Sequence, residues 1–218
     1  MTAPSVAPPR DRDWVEIVAT VLLSVAAVAT AWSSYQSARW NGEQAKTASR
    51  VNATRVEAAR AQGLAEAQTE VDVATFIQWV DATAHDDVEL TDFYEERFRD
   101  EFKPAFEAWM ATDPLVTPGA PPTPFAMPEY KLEADEQAKD LDAQAEVLAA
   151  RVRRNIQRST NYVLGVVLFA ISLFFAGIST KLSGRGSRIA LLVVGSIVFL
   201  ATAAWIATSP ISIALSSS

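Results

Sequence analysis

The chain has 218 residues, half of them hydrophobic, with 26 Asp and Glu against 19 Lys and Arg and a net charge of −7. An acid surplus repels nucleic-acid phosphates, so no nucleic acid is expected as a partner. With no cysteine, disulfides, iron–sulfur clusters, thiolate zinc sites and cysteine nucleophiles are ruled out.

The charge is unevenly spread. Residues 17–38, 159–180 and 189–218 contain no Asp, Glu, Lys or Arg. Three such runs in an otherwise charged chain read as membrane segments. Residues 1–13, with Pro4, Pro8 and Pro9, read as a disordered tail. Residues 14–37 are the first expected span. Its apolar run, Ile17 to Tyr35, has 19 residues and at ~1.5 Å per residue is about 28 Å long, close to the ~30 Å hydrocarbon core. Trp14 at one end and Trp32, Tyr35 and Trp40 at the other occupy interfacial anchor positions. The run is longer than the apolar part of a cleavable signal peptide. Thr20, Ser24, Ala27, Ala31 and Ser34 share one helical face of small residues, where helices approach closely. That face suits packing against the other two spans of the same chain, or a seam between copies.

Residues 38–158 form the expected soluble domain. Residues 39–158 hold 14 Lys and Arg against 23 Asp and Glu, a net −9. Residues 38–70 lack proline and read as a continuation of the first span, with a thin stripe at Ala45, Ala48, Val56, Ala59, Gly63 and Ala67. A heavier stripe follows at Val73, Phe76, Ile77, Val80, Ala84 and Val88. Tyr94, Phe98, Phe102, Phe106 and Trp109 continue it at near-helical spacing, with Pro104 expected to kink or break the helix. The aromatic stripe reads as core, with a lipid- or partner-binding groove as the alternative. Residues 113–128 contain six prolines, so they form a loop of polyproline character pinned by Phe125 and Met127, or else a docking segment. Residues 129–158 return to helix, with a stripe at Leu141, Ala145, Leu148, Val152 and Ile156, and run without a breaker into the next span. No sustained alternation suggests strands.

Residues 159–181 are the second expected span, with Tyr162 at its interface. Residues 182–188 are a short basic turn, 189–208 the third span with Trp205 near its far end, and 209–218 a tail at the interface. No span carries an interior ionisable residue, which argues against a self-contained pump or ion-coupled transporter. Positive-inside counting weights short loops most. Arg10 and Arg12 before the first span, and Lys181, Arg185 and Arg188 before the third, together place the N-terminus inside and the soluble domain outside. Arg151, Arg153, Arg154 and Arg158 precede the second span, where they can meet lipid headgroups, and counted alone they favour the opposite orientation.

The single histidine, His85, lies with Asp81, Glu89, Asp92 and Glu96 at spacings that would share one face of a continuous helix. Carboxylates and imidazole in such a ladder could hold a divalent metal if Glu133, Glu136 or Asp140 on a second helix added ligands. A solvated acidic face explains the same pattern. No G-x-S-x-G, Walker or dinucleotide-binding glycine motif occurs. No catalytic residue and no cofactor is expected.

The segments AWSSYQSARWNGEQA (31–45), ATDPL and PFAMPEY (111–130) resemble those of a family of uncharacterised bacterial membrane proteins. That resemblance implies one N-terminal span, a helical middle and two C-terminal spans, and no activity. The expected class is therefore all-α: an integral membrane protein with three transmembrane helices and a helical, stalk-like soluble domain. Its expected role is a non-enzymatic scaffold or accessory subunit. Its expected partners are the lipid bilayer and either a second copy or another membrane protein. An oligomeric channel lined by Thr20, Ser24 and Ser34, and a metal-binding or hydrolytic domain, are the alternatives.

Overall fold

The computed structural model describes residues 14–114 and 116–212. The expected tail 1–13, Leu115 in the proline-rich loop and residues 213–218 lie outside the described residues. Five α-helices account for most of what is described: α1 (Trp14–Ala84), α2 (Val88–Arg97), α3 (Lys103–Met110), α4 (Glu133–Ser179) and α5 (Arg185–Ala207), with a 3-10 turn at Pro124–Ala126. No strand occurs among the described residues. Helices α1, α4 and α5 are each long and apolar enough to cross a membrane. The chain divides into two compact units, one of residues 1–47 with 150–218 and one of residues 48–149.

In the first unit, α1 turns Val15, Ala19, Leu22, Ala26, Ser33, Gln36, Ser37 and Trp40 inward. Steps of three, four and seven keep these on one side of a 3.6-residue helix. Val15, Ala19 and Leu22 pack with Ala176 of α4 and Leu192 of α5. Further along, Trp40 packs with Tyr162, Phe169 and Ile206. Gly195 lets α5 close on α4: a Cβ there would lie 3.2 Å from Phe175 Cβ and 3.3 Å from the Ser172 carbonyl oxygen. Most buried hydroxyls in this unit are satisfied locally or across helices, Ser33 excepted. Ser172, Ser179 and Thr202 donate to carbonyls in their own helices. Ser37 and Ser159 pair across α1 and α4 at 3.0 Å, and Ser159 donates to the Ser37 carbonyl. The chain after α5 folds back: the Ser212 N–H donates to Gln36 Oε1 at 3.0 Å, and the Tyr162 hydroxyl donates to the Pro210 carbonyl at 3.2 Å. This part of the expected interfacial tail is thus tied to the helices.

In the second unit, α1 continues unbroken through Val71 and buries Val51, Ala58, Ala61, Ala65, Asp72, Phe76 and Trp79. The expected stripes are corrected here. Val56, Ala59, Gly63 and Ala67 are exposed, as are Ile77 and Val80. Alanine is distributed all round this helix, so no face is much more apolar than another, and the partner selects the buried one. On α4 the expected stripe holds better. Ala145 is buried and Leu141, Leu148 and Val152 are half-buried, whereas Ile156 is exposed and Ser159 is buried in its place.

Helix α1 ends at Ala84, and Asp86 takes a left-handed φ of 56°. Aspartate tolerates that conformation better than most residues. The Asp87 side chain then accepts the Leu90 N–H at 3.1 Å and caps α2, leaving that helix's orphan donors one fewer. Pro104 does not kink a helix: it stands in the first turn of α3, where its missing N–H removes no helical bond. Because α2 and α3 are separate short helices, the aromatic residues fold back on α1. Phe76, Trp79, Phe98, Phe102, Phe106 and Trp109 form one buried cluster, with Tyr94, Phe125, Met127 and Tyr130 against it. The rings of Phe102 and Phe125 stack at 5.2 Å, and Trp79 meets Phe106 edge-on at 4.9 Å. Trp109 Nε1–H donates to the Pro121 carbonyl at 2.8 Å. The proline-rich connector is therefore held at Pro121, Phe125 and Met127.

Candidate functional site

The proposed metal ladder does not form on one helix. Asp81 stands on the last turns of α1, His85 in the turn, and Glu89, Asp92 and Glu96 on α2. The left-handed Asp86 redirects the chain between them. His85 is exposed, and its Nδ1–H donates back to the Asp81 carbonyl at 2.8 Å. Among the described residues no group of three His, Asp or Glu side chains is placed to hold a metal ion. The Glu133 backbone N–H donates to Glu101 Oε1 at 3.0 Å.

What sequence reasoning missed is a buried ionic knot beneath the aromatic cluster. Asp72 is fully buried on the inward face of α1. Arg99, from the α2–α3 link, donates to Asp72 Oδ2 at 2.8 Å and also pairs closely with Glu101. The Tyr130 hydroxyl donates to the same Oδ2 at 3.1 Å and lies 3.3 Å from the Thr69 hydroxyl. Asp72 Oδ1 is buried with no partner. Burial pushes the Asp72 carboxyl above its ordinary range, against the opposing pull of Arg99 and Tyr130. Burial likewise raises the Tyr130 hydroxyl. The signal was in the sequence: Ala65, Thr69, Asp72, Phe76 and Trp79 follow spacings of 4, 3, 4 and 3, so an acid lies within an inward stripe.

Chemically, the knot binds α1, the α2–α3 link and the start of α4 to one another. A groove of about 450 Å³ beside it is lined by Glu66, Thr69, Glu70, Tyr130 and Asp135 among others. The groove is acidic and open. It presents carboxylates and hydroxyls with no histidine or activated nucleophile among them.

The expected interface aromatics divide into two groups. Trp14, Trp32, Tyr35 and Trp205 are exposed at the surface of the first unit. Trp40 and Tyr162 are not: they are 8% and 1% exposed and pack together in its core, with the Arg158 guanidinium 4.5 Å above the Trp40 ring. Packing against α4 and α5 buries both rings, and the returning chain holds Tyr162, so neither is presented at the surface as the other four are. The small-residue face also differs from one of its two readings. Thr20, Ser24, Ala27, Ala31 and Ser34 are all exposed, and the opposite face of α1 meets α4 and α5. Packing within the chain does not use it.

The chain matches no protein-family model, no curated protein and no solved structure.

Proposed function

We propose that the chain is a non-enzymatic, membrane-anchored scaffold or accessory subunit that acts through its helical domain and assembles along α1. The observation that carries this reading is the exposed face Thr20, Ser24, Ala27, Ala31 and Ser34. Small side chains let a second helix approach closely, which supplies the dispersion contact that drives helix association in lipid. The partner is a second copy or another membrane protein. Thr20 and Ser24 donate their hydroxyl protons back to the Glu16 and Thr20 carbonyls, which makes the face a packing surface more than a hydrated pore lining. On this reading the three apolar helices cross the cell membrane, with the acidic unit outside the cytoplasm.

Native mass measurement in detergent tests the assembly, with a dimer or larger species expected. Ala27→Trp with Ala31→Trp should reduce it to monomer while leaving the helix content unchanged, because both positions are exposed within the chain. A wild-type chain that is strictly monomeric and captures no membrane partner would remove the proposal. Labelling an introduced Ala120→Cys from either side of intact cells tests the orientation.

A further inference from the structure

Near the domain end of the first charge-free run, α1 carries three buried donors without acceptors: Ser33 Oγ, Arg39 Nε and Trp40 Nε1. An orphaned buried donor has given up its hydrogen bond to water with nothing in return. Ser33 is the most telling. It is fully buried, yet its hydroxyl does not return to its own helix as those of Thr20, Ser24 and Thr30 do.

Ser33 lines a cavity of about 240 Å³ whose other walls include Trp32, Tyr162, Phe169, Ala203 and Ile211. Exposed Trp32 and Ile211 form its rim. The walls are apolar apart from the Ser33 and Tyr162 hydroxyls, and the latter is already spent on Pro210. Tyr162 and Phe169 also belong to the cluster containing Trp40, over which the Arg158 guanidinium lies. One end of the cavity is thus apolar with a single free hydroxyl, and a cation stands over the aromatic cluster that walls it. Arg39 and Arg158 each flank a charge-free run, at 17–38 and 159–180, the level where lipid esters and phosphates sit.

We propose that α1, α4, α5 and the returning chain at Ile211 build a site for a phospholipid with an anionic headgroup. An acyl chain enters the cavity, an ester carbonyl accepts the Ser33 proton, and phosphate oxygens meet the Arg158 guanidinium. The occupant's chemistry follows from the walls: the apolar cavity takes a chain, the free hydroxyl needs an acceptor oxygen, and the guanidinium selects negative charge. The site requires that the helices lie in a bilayer, which carbonate extraction of wild-type membranes tests separately.

The test uses the full chain in an uncharged detergent, with phosphatidylglycerol, phosphatidylcholine of the same acyl chains, or inorganic phosphate added. Phosphatidylglycerol should stay bound in native mass spectra and raise the thermal midpoint by several degrees. Phosphatidylcholine should give less than half that shift, and phosphate none. Ala203→Phe, which fills the cavity, should abolish the response to both lipids. Arg158→Gln, which leaves the cavity intact, should remove only the preference for phosphatidylglycerol and decides the matter if the first variant does not fold. Equal responses to the two lipids in the wild type, a phosphate shift equal to that of phosphatidylglycerol, or an undiminished preference in Arg158→Gln would each overturn the proposal.

Discussion

Phe102→Ala should open the second unit far more than any surface change. Phe102 is fully buried, and the rings of Phe76, Phe98, Phe106, Phe125 and Tyr130 surround it at 5.0–6.2 Å. Truncating a buried phenylalanine costs about 3–5 kcal/mol, from lost transfer energy and the cavity left behind. The lower figure is a rise of roughly 100-fold or more in the open population, since ~1.4 kcal/mol is tenfold. Arg97 and Arg99 flank the packed rings and make trypsin the natural probe. When opening and closing are fast, cleavage tracks the open population. The full chain in detergent should therefore be cut after Arg97 and Arg99 about 100-fold faster in the variant. Ile77→Ala is the control: Ile77 is 55% exposed, and exposed substitutions stay within about 0.5 kcal/mol, so its rate should rise less than about threefold. A Phe102→Ala rate within fivefold of wild type, or an Ile77→Ala rate matching it, would refute the assignment of the core to the inward face of α1.

Two further outcomes follow from particular contacts. Burial holds the folded-state Asp72 carboxyl above its ordinary 3.8, so folding favours the protonated form. Its contribution is fully present below 3.8 and is lost as pH rises through the raised folded value. Wild-type stability relative to Asp72→Asn should therefore fall as pH rises above about 3.8, and thermal melts of both proteins across that range check it; a difference that grows with pH would contradict this. Gly195→Ala should lower the thermal midpoint, because the new methyl would lie 3.3 Å from the Ser172 backbone oxygen and overpacking costs about 1–3 kcal/mol. Gly177→Ala, with nothing within 4 Å of the new methyl, should raise the midpoint slightly, since alanine is the better helix former by ~1 kcal/mol. Equal shifts in the two variants would argue against close α4–α5 contact.

Where a residue's chemistry is extreme, the sequence determined the outcome by itself. Charge-free runs of 22 residues and more could only become long apolar helices, since Asp, Glu, Lys and Arg interrupt them nowhere. Six prolines between residues 113 and 128 forbade a regular helix there, and the close spacing of Phe98, Phe102, Phe106 and Trp109 marked a core. The tertiary structure decided what the residues themselves leave nearly equal. Along residues 48–70 alanine occurs on every side of α1, and faces that differ by a methyl or two differ by only about 1 kcal/mol of burial. The packing partner, not the helix, therefore chose Ala58, Ala61 and Ala65 over Ala59, Gly63 and Ala67. The same holds for Asp72, Trp40 and Tyr162. A carboxylate or an amphipathic ring accepts either water or a buried partner, and Arg99, Arg158 and the returning chain at Pro210 reach them only once the helices have packed.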